Sequence, residues 1–214
     1  LVPTSLLGMV DAAIGGKTGI DLHGYKNMVG TFFPAREVWI APATLETLSD
    51  REYRSGLAEV IKAAFLGDNA LLETLETERV AIQARDLTVI TPIIERAVQV
   101  KVGVVSRDFQ ELGERAFLNL GHTFGHALES VLGLGEWTHG EAVAWGIARA
   151  MIAGVALGKT DRDWGERVLT LLDVYGYSTG PAPADPEAIV TAMYHDKKRT
   201  SQGLQFVLQR GPQD

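Results

Sequence analysis

The chain has 214 residues, enough to bury a real core in one large domain or one and a half. Hydrophobic residues make up 46% and charged residues 22%, and a net charge of −7 with no basic stripe excludes nucleic acid as the main partner. No apolar run reaches the roughly 18 to 20 residues of a membrane span, and with no cysteine and no signal peptide the expected setting is a reducing cytoplasm without disulfides or membrane contact.

Residues 1–45 are rich in glycine, at positions 8, 15, 16, 19, 24 and 30. Thr4 is placed to cap a short helix through Ile14, which Gly15-Gly16 then stops. Strand-like runs follow at 18–21 and 37–40, with turns over 21–27. From Ser49 the pattern is helical almost throughout. Ser49-Asp-Arg-Glu52 is a capping box opening a helix to about residue 66, and a second helix spans 69–79. Thr91-Pro92 reads as the cap and first position of a helix ending near 107. Helices over 116–132 and 140–157 account for three of the five histidines, His122 and His126 within the first and His139 immediately before the second. Thr160 caps a helix to about 175, Asp185-Pro186 starts one to about 195, and 203–208 reads as a closing strand. The predicted fold is mostly α: a multi-helix metal- and substrate-binding domain over 49–214, with a short α/β segment over 1–48.

The histidines carry the chemistry. In Asn119-Leu-Gly-His122-Thr-Phe-Gly-His126, two imidazoles stand four apart, hence on one helix face. His139 opens the next apolar helix, where a glycine-linked turn folds it back against the first. Imidazole is the commonest metal ligand and also moves protons near neutrality. Glu59 lies in Ser55-Gly-Leu-Ala-Glu59-Val-Ile-Lys62, where a carboxylate is costly unless paired. On that segment alone an ion pair with Lys62 accounts for both residues. Beside the histidines, the alternative is a His-His-Glu set around one divalent ion, with a fourth position open as in catalytic zinc sites. Whether His122 or His126 faces that ion is left open. Glu141 is a competing carboxylate, although its place at a helix start also suits the dipole. There is no HExxH pair.

Arginine outnumbers lysine 13 to 7, so arginine is the general surface cation and the lysines stand out. Lys17, Lys26, Lys62 and Lys101 sit in glycine-rich or apolar settings, and Lys197-Lys198 form a pair; together they point to an anion site. Arg115 and Asn119, just before the histidines, suit a carboxylate or phosphate. Gly15-Gly16-Lys17-Thr18 is not a phosphate loop, because its first glycine would fall on Asp11, and no G-x-G-x-x-G occurs. His23 reads as a loop residue, and His195 gains interest only from Asp196-Lys197-Lys198.

Seven segments in order resemble the 3-dehydroquinate synthase family: Pro3-Thr-Ser-Leu-Leu-Gly-Met-Val-Asp11, Gly15–Gly19, Lys26–Gly30, Ser55–Lys62, Leu118–Ala127, His139–Ala142 and Asp196–Lys198. The resemblance implies conversion of 3-deoxy-D-arabino-heptulosonate 7-phosphate into 3-dehydroquinate and phosphate in the shikimate pathway. It implies NAD, which oxidises a substrate hydroxyl and later returns the hydride, and Zn2+ (or Co2+), which polarises that hydroxyl. By the same resemblance, Glu59, His122 and His139 hold the metal. Asp11, Lys17, Lys26, Asn27, Lys62, Lys101, Arg115, Asn119, His126 and one of Lys197 and Lys198 form the substrate and phosphate shell. Among these, Lys101, Arg115 and Asn119 suit the carboxylate, and Asn27, His126 and the late lysine suit the phosphate. Thr4, Ser5, Lys17, Lys26, Thr44, Leu45, Glu46 and Thr47 resemble positions touching NAD. Residues 1–48 would then be the remnant of an α/β NAD-binding region. Its glycine-rich loop is expected before Leu1, as is an arginine lent across a homodimer, so the piece alone is expected to be inactive. The rival readings are another sugar-phosphate cyclase such as 2-deoxy-scyllo-inosose synthase, a metal-dependent alcohol or glycerol dehydrogenase, and a non-catalytic remnant.

Overall fold

A computed structural model describes residues 1–22, 25–133, 135–197 and 204–214, without the side chains of 21–28 and 195–197. The fold is mostly α, as the patterning predicts, with one two-stranded sheet among the described residues. Two compact units divide the chain. One holds Leu1–Ala64 and Ala70–Ala116, the other Phe65–Asn69 and Phe117–Asp214. None of the described helices is long and apolar enough to cross a membrane.

In the first unit the predicted short helix is a wide, π-type turn over Gly8–Ala12. Strand β1 (Lys17–Leu22) pairs antiparallel with β2 (Tyr25–Phe32), Lys17 opposite Phe32 and Gly19 opposite Gly30. The sequence reading put turn where β2 begins and a strand at 37–40. The ladder instead recruits Tyr25–Phe32, rich in aromatic and β-branched residues, because β1 supplies a partner. Residues 37–40 stay irregular, with Trp39 N–H donating to Leu1 O at 2.9 Å. After a 3₁₀ turn (Pro42–Thr47) come α1 (Asp50–Gly67), α2 (Asn69–Thr77), α3 (Arg79–Gln83) and α4 (Leu87–Arg107). Ser49 Oγ accepts from Glu52 N–H at 3.3 Å, as its capping role requires. The single helix read over 69–79 is interrupted at Glu78.

Helix α4 starts four residues before the predicted Thr91. Asp86 is the true cap, its Oδ1 accepting from Thr88 N–H at 2.9 Å and from Thr88 Oγ1 at 2.7 Å. Those hydrogen bonds hold the Asp86 carboxyl below its ordinary range. Pro92 therefore lies inside the helix, where it removes one backbone bond. Ile90, Ile93, Ile94 and Ala97 form its buried stripe, and its middle packs on the Gly8–Ala12 turn.

In the second unit the predicted 116–132 helix is broken. A 3₁₀ turn (Glu114–Asn119) leads to Gly121, which adopts φ 80° before α5 (His122–Leu132) begins. The cause is α6 (His139–Ala156), which passes too close for any side chain. A Cβ on Gly121 would lie 2.6 Å from Ile147 N, and one on Gly125 would lie 2.7 Å from Ala142 O. Thr138 and Glu141 cap α6 reciprocally, with Thr138 N–H donating to Glu141 Oε2 at 2.8 Å.

Helix α7 (Arg162–Val174) is capped by Asp161, not by the predicted Thr160, whose hydroxyl donates to Gln209 O at 2.7 Å. Helix α8 (Pro186–Lys197) ends two residues beyond the prediction. The predicted closing strand is absent from 204–208, and Gly203 lies outside the described residues. Beyond it the buried Gln209 anchors the chain, donating to Phe65 O at 2.6 Å and accepting from Trp164 Nε1 at 3.3 Å. A compact core of Ala127, Leu128, Trp145, Ile189 and Met193 joins α5, α6 and α8.

Because the Ala142 carbonyl is locked in α6, Gly125→Ala should lower stability by about 1–3 kcal/mol. Equilibrium denaturant unfolding checks this; an unchanged midpoint would mean the helices separate freely.

Candidate functional site

The close α5–α6 contact brings the three histidines together. Ring centroids lie 5.1 Å apart for His122 and His126, 5.5 Å for His122 and His139, and 5.9 Å for His126 and His139. All three are half-buried. Nδ1 of His122 lies 3.2 Å from Leu120 O. Nδ1 of His139 lies 3.6 Å from Oε2 of Glu129, a carboxylate only 7% exposed. His126, Glu129 and His139 offer ligand atoms all within 4.8 Å of one another, a spread that one metal ion spans. Glu129 is not among the candidates read from the sequence. The signal was present: it stands three residues after His126, on the same face, among apolar neighbours. Glu141, the competing carboxylate, is engaged in the α6 capping box.

The first unit holds the buried cations. Glu59 and Lys62, 3% and 4% exposed, pair along α1 at 2.5 Å. The packing of α4 on the Gly8–Ala12 turn brings Lys101 to Asp11, and its ammonium donates to Asp11 O at 2.7 Å and to Oδ1. Burial pushes the Lys101 pKa down; Asp11 opposes this, Lys62 adds to it, and Glu59 counters it weakly. Arg115, 3% exposed, donates through Nη1 to Phe109 O at 2.5 Å and through Nη2 to Gly15 O at 2.8 Å. Gly15 must be glycine, since its φ is 100° and a Cβ would strike the Arg115 guanidinium. Below Arg115, Asp108 accepts from the N–H groups of Arg115, Leu112 and Gly113, which hold its carboxyl below the usual range.

Other expected site residues are dispersed more widely. Lys17 pairs with Glu111. Ser5 Oγ accepts from Gly8 N–H at 3.2 Å, and Thr44 Oγ1 donates to Thr4 O at 3.4 Å. Leu45 is wholly buried, and the carbonyls of Leu45 and Glu46 take Arg85 Nη1 at 3.0 and 3.4 Å. Thr47 closes the 3₁₀ turn by donating to Thr44 O at 3.4 Å. Asn119, half-buried, ends the 3₁₀ turn before α5. The side chains of Lys26, Asn27, His195, Lys197 and Lys198, with His23, lie outside the described residues.

Two family models cover most of the chain: 3-dehydroquinate synthase N-terminal over residues 1–55 and 3-dehydroquinate synthase C-terminal over 56–199. The chain belongs to the 3-dehydroquinate synthase family. It is 44% identical over 211 residues to the 3-dehydroquinate synthase of Teredinibacter turnerae and 45% identical over 216 residues to that of Xanthomonas campestris pv. campestris. Each match takes in 98% of this chain and 58% of the relative, so the chain spans less than two thirds of these relatives' length. Among solved structures, the whole chain superposes on 59% of ValA, a 2-epi-5-epi-valiolone synthase from Streptomyces hygroscopicus with NAD+ and Zn2+ bound. That match has a TM-score of 0.90 and 30% identity. It also superposes on 59% of a 2-deoxy-scyllo-inosose synthase complexed with carbaglucose-6-phosphate, NAD+ and Co2+, with a TM-score of 0.85 and 26% identity. Membership in the 3-dehydroquinate synthase family thus covers the histidine-bearing helices and the buried cations alike.

The lowered Lys101 pKa has a sign that experiment can read. Between the folded-state value and 10.5, the unfolded chain holds more protons, so stability rises with pH there and is lost as pH falls. Lys101→Met should abolish that rise, seen as the difference between the two proteins in urea unfolding from pH 7.5 to 10.5.

Proposed function

We propose that this chain forms the metal- and substrate-binding part of an NAD- and zinc-dependent carbon–oxygen lyase. The reaction converts 3-deoxy-D-arabino-heptulosonate 7-phosphate into 3-dehydroquinate and phosphate, in a cytoplasmic homodimer. The observation that carries this reading is the meeting of His122, His126 and His139 on α5 and α6.

The donors suit such a metal. Nδ1 of His122 faces a carbonyl and Nδ1 of His139 faces a carboxylate, which leaves Nε2 of each ring as the ligand atom. Glu59, buried on α1, is the proposed third ligand, and a two-imidazole, one-carboxylate set suits Zn2+ and accepts Co2+. When bound, the metal supplies Lewis-acid polarisation of a substrate hydroxyl, and NAD takes up and returns the hydride.

The chain's other residues have binding roles in this proposal. Lys62 neutralises Glu59 and presents its ammonium beside the reacting hydroxyl. Lys101, Arg115 and Asn119 bind the substrate carboxylate, with Asp11 orienting the Lys101 ammonium. Asn27, His126 and one of Lys197 and Lys198 bind the phosphate. Thr4, Ser5, Lys17, Lys26 and Thr44, Leu45, Glu46 and Thr47 border the nicotinamide cofactor, with residues 1–48 belonging to its domain. The cyclases acting on other sugar phosphates are similar in fold, but the dehydroquinate synthases are much closer in sequence, at 44–45% against 26–30%. Two cations and an amide for a carboxylate also favour the sugar-acid substrate.

Two measurements test the reading. Titrating the metal-free chain with Zn2+ should show one tight site, weakened at least tenfold by Glu59→Ala, His122→Ala or His139→Ala and retained in His126→Ala. Completed by the part of the Teredinibacter turnerae relative that it does not match, the chain should release one phosphate per dehydroquinate formed. His126→Ala in that fusion should slow turnover about 10²- to 10⁴-fold while keeping zinc. A fusion that binds zinc and NAD yet releases no phosphate would refute the assignment.

A further inference from the structure

The sequence reading did not use Glu129, yet it is a buried carboxylate beside the histidines. It follows Ala127 and Leu128, both part of the α5–α6–α8 core, and is itself 7% exposed. A carboxylate so placed is costly unless a hydrogen-bond donor or a cation stands beside it. One group beside it is the His139 ring, whose Nδ1 lies 3.6 Å from Oε2, a few tenths of an ångström beyond a hydrogen bond. The backbone at His139 is already held by the Thr138–Glu141 capping box, so a group at Nδ1 acts on the ring rather than on the main chain. His122 shows the same arrangement, with Leu120 O as the acceptor at its Nδ1. His122 and His139 thus both turn Nδ1 toward a protein acceptor.

We propose that Glu129 is a positioning residue: its carboxylate accepts the Nδ1 proton of His139, fixing the ring orientation and the tautomer that offers Nε2 to the metal. The inference rests on the metal reading above and extends it from the ligands to the group behind one of them. Glu129 has a rival role, as a direct ligand in a set with His126 and His139, because their donor atoms also fall within 4.8 Å of one another. One feature favours the supporting role: the carboxylate addresses Nδ1 of His139 rather than Nε2, the atom assigned to the metal.

The test uses the 214-residue chain, metal-free, with Zn2+ and Co2+ as probes. Long-range 1H–15N correlation spectra of the wild type should show His139 protonated at Nδ1, a preference lost in Glu129→Ala. Glu129→Gln, matched in size, should weaken Zn2+ binding about 10- to 100-fold in competition with a chelator. The Co2+ absorption bands of that variant should keep their position and intensity, because the ligands are unchanged. Loss or displacement of those bands would make Glu129 a ligand and overturn the proposal. So would a wild-type His139 protonated at Nε2, whatever the variants do. A chain that binds no Zn2+, or binds it undiminished after His139→Ala, overturns the metal reading itself. A chain that needs His139 but binds Zn2+ equally well after Glu129→Gln overturns only the role of Glu129.

Discussion

The approach of α5 to α6 is the contact on which the histidine cluster depends. Two helices normally lie 8–10 Å apart because side chains fill the space between them. Here Gly121 and Gly125 remove that filling, and the backbone of α5 lies directly against Ile147 N and Ala142 O. The spacing of these glycines interleaves with the histidines, so the turns that touch α6 are the turns that carry His122 and His126. His139, as the first residue of α6, is brought to them by the same contact. A bulkier residue at either glycine would push apart the rings as well as the helices.

Charge burial is the second constraint. The first unit keeps Glu59, Lys62 and Arg115 almost fully out of water and Lys101 nearly so, at a cost that each partner only offsets. Such pairs are weak evidence of stability and better evidence of a site, since a core built for stability alone would place apolar residues there. Lys101 illustrates the balance: burial favours its neutral form, and Asp11 restores much of the charged form. Arg115 is held differently, by backbone carbonyls at Gly15 and Phe109, a rigid cradle that fixes the plane of its guanidinium. The two cations therefore differ in kind, one tuned by a neighbouring charge and the other by geometry.

Family membership and geometry bear on different parts of this picture. The relatives speak for the order of motifs along nearly the whole chain. The geometry speaks for which side chains stand together, and it adds Glu129, which no motif reading had singled out. It also withdraws Glu141, an equal competitor by position, by engaging it in a helix cap. Both carboxylates lie within a few residues of a histidine, and only their packing separates them.

Period and composition were enough to reveal the mostly helical fold, the Ser49 cap and the two histidines on one face of α5. These are local matters: a cap needs residues three apart, and a helix face repeats every three or four. Elements that depend on a distant partner were read wrongly. Strand β2 exists because β1 lies beside it; α5 breaks at Gly121 because α6 passes there; Thr160 is drawn from its cap to Gln209, leaving Asp161 to start α7. The pairing of Lys101 with Asp11, 90 residues away, is of the same kind. Local chemistry is written in neighbouring residues, whereas a contact between segments far apart in the chain is decided only when packing brings their backbones together.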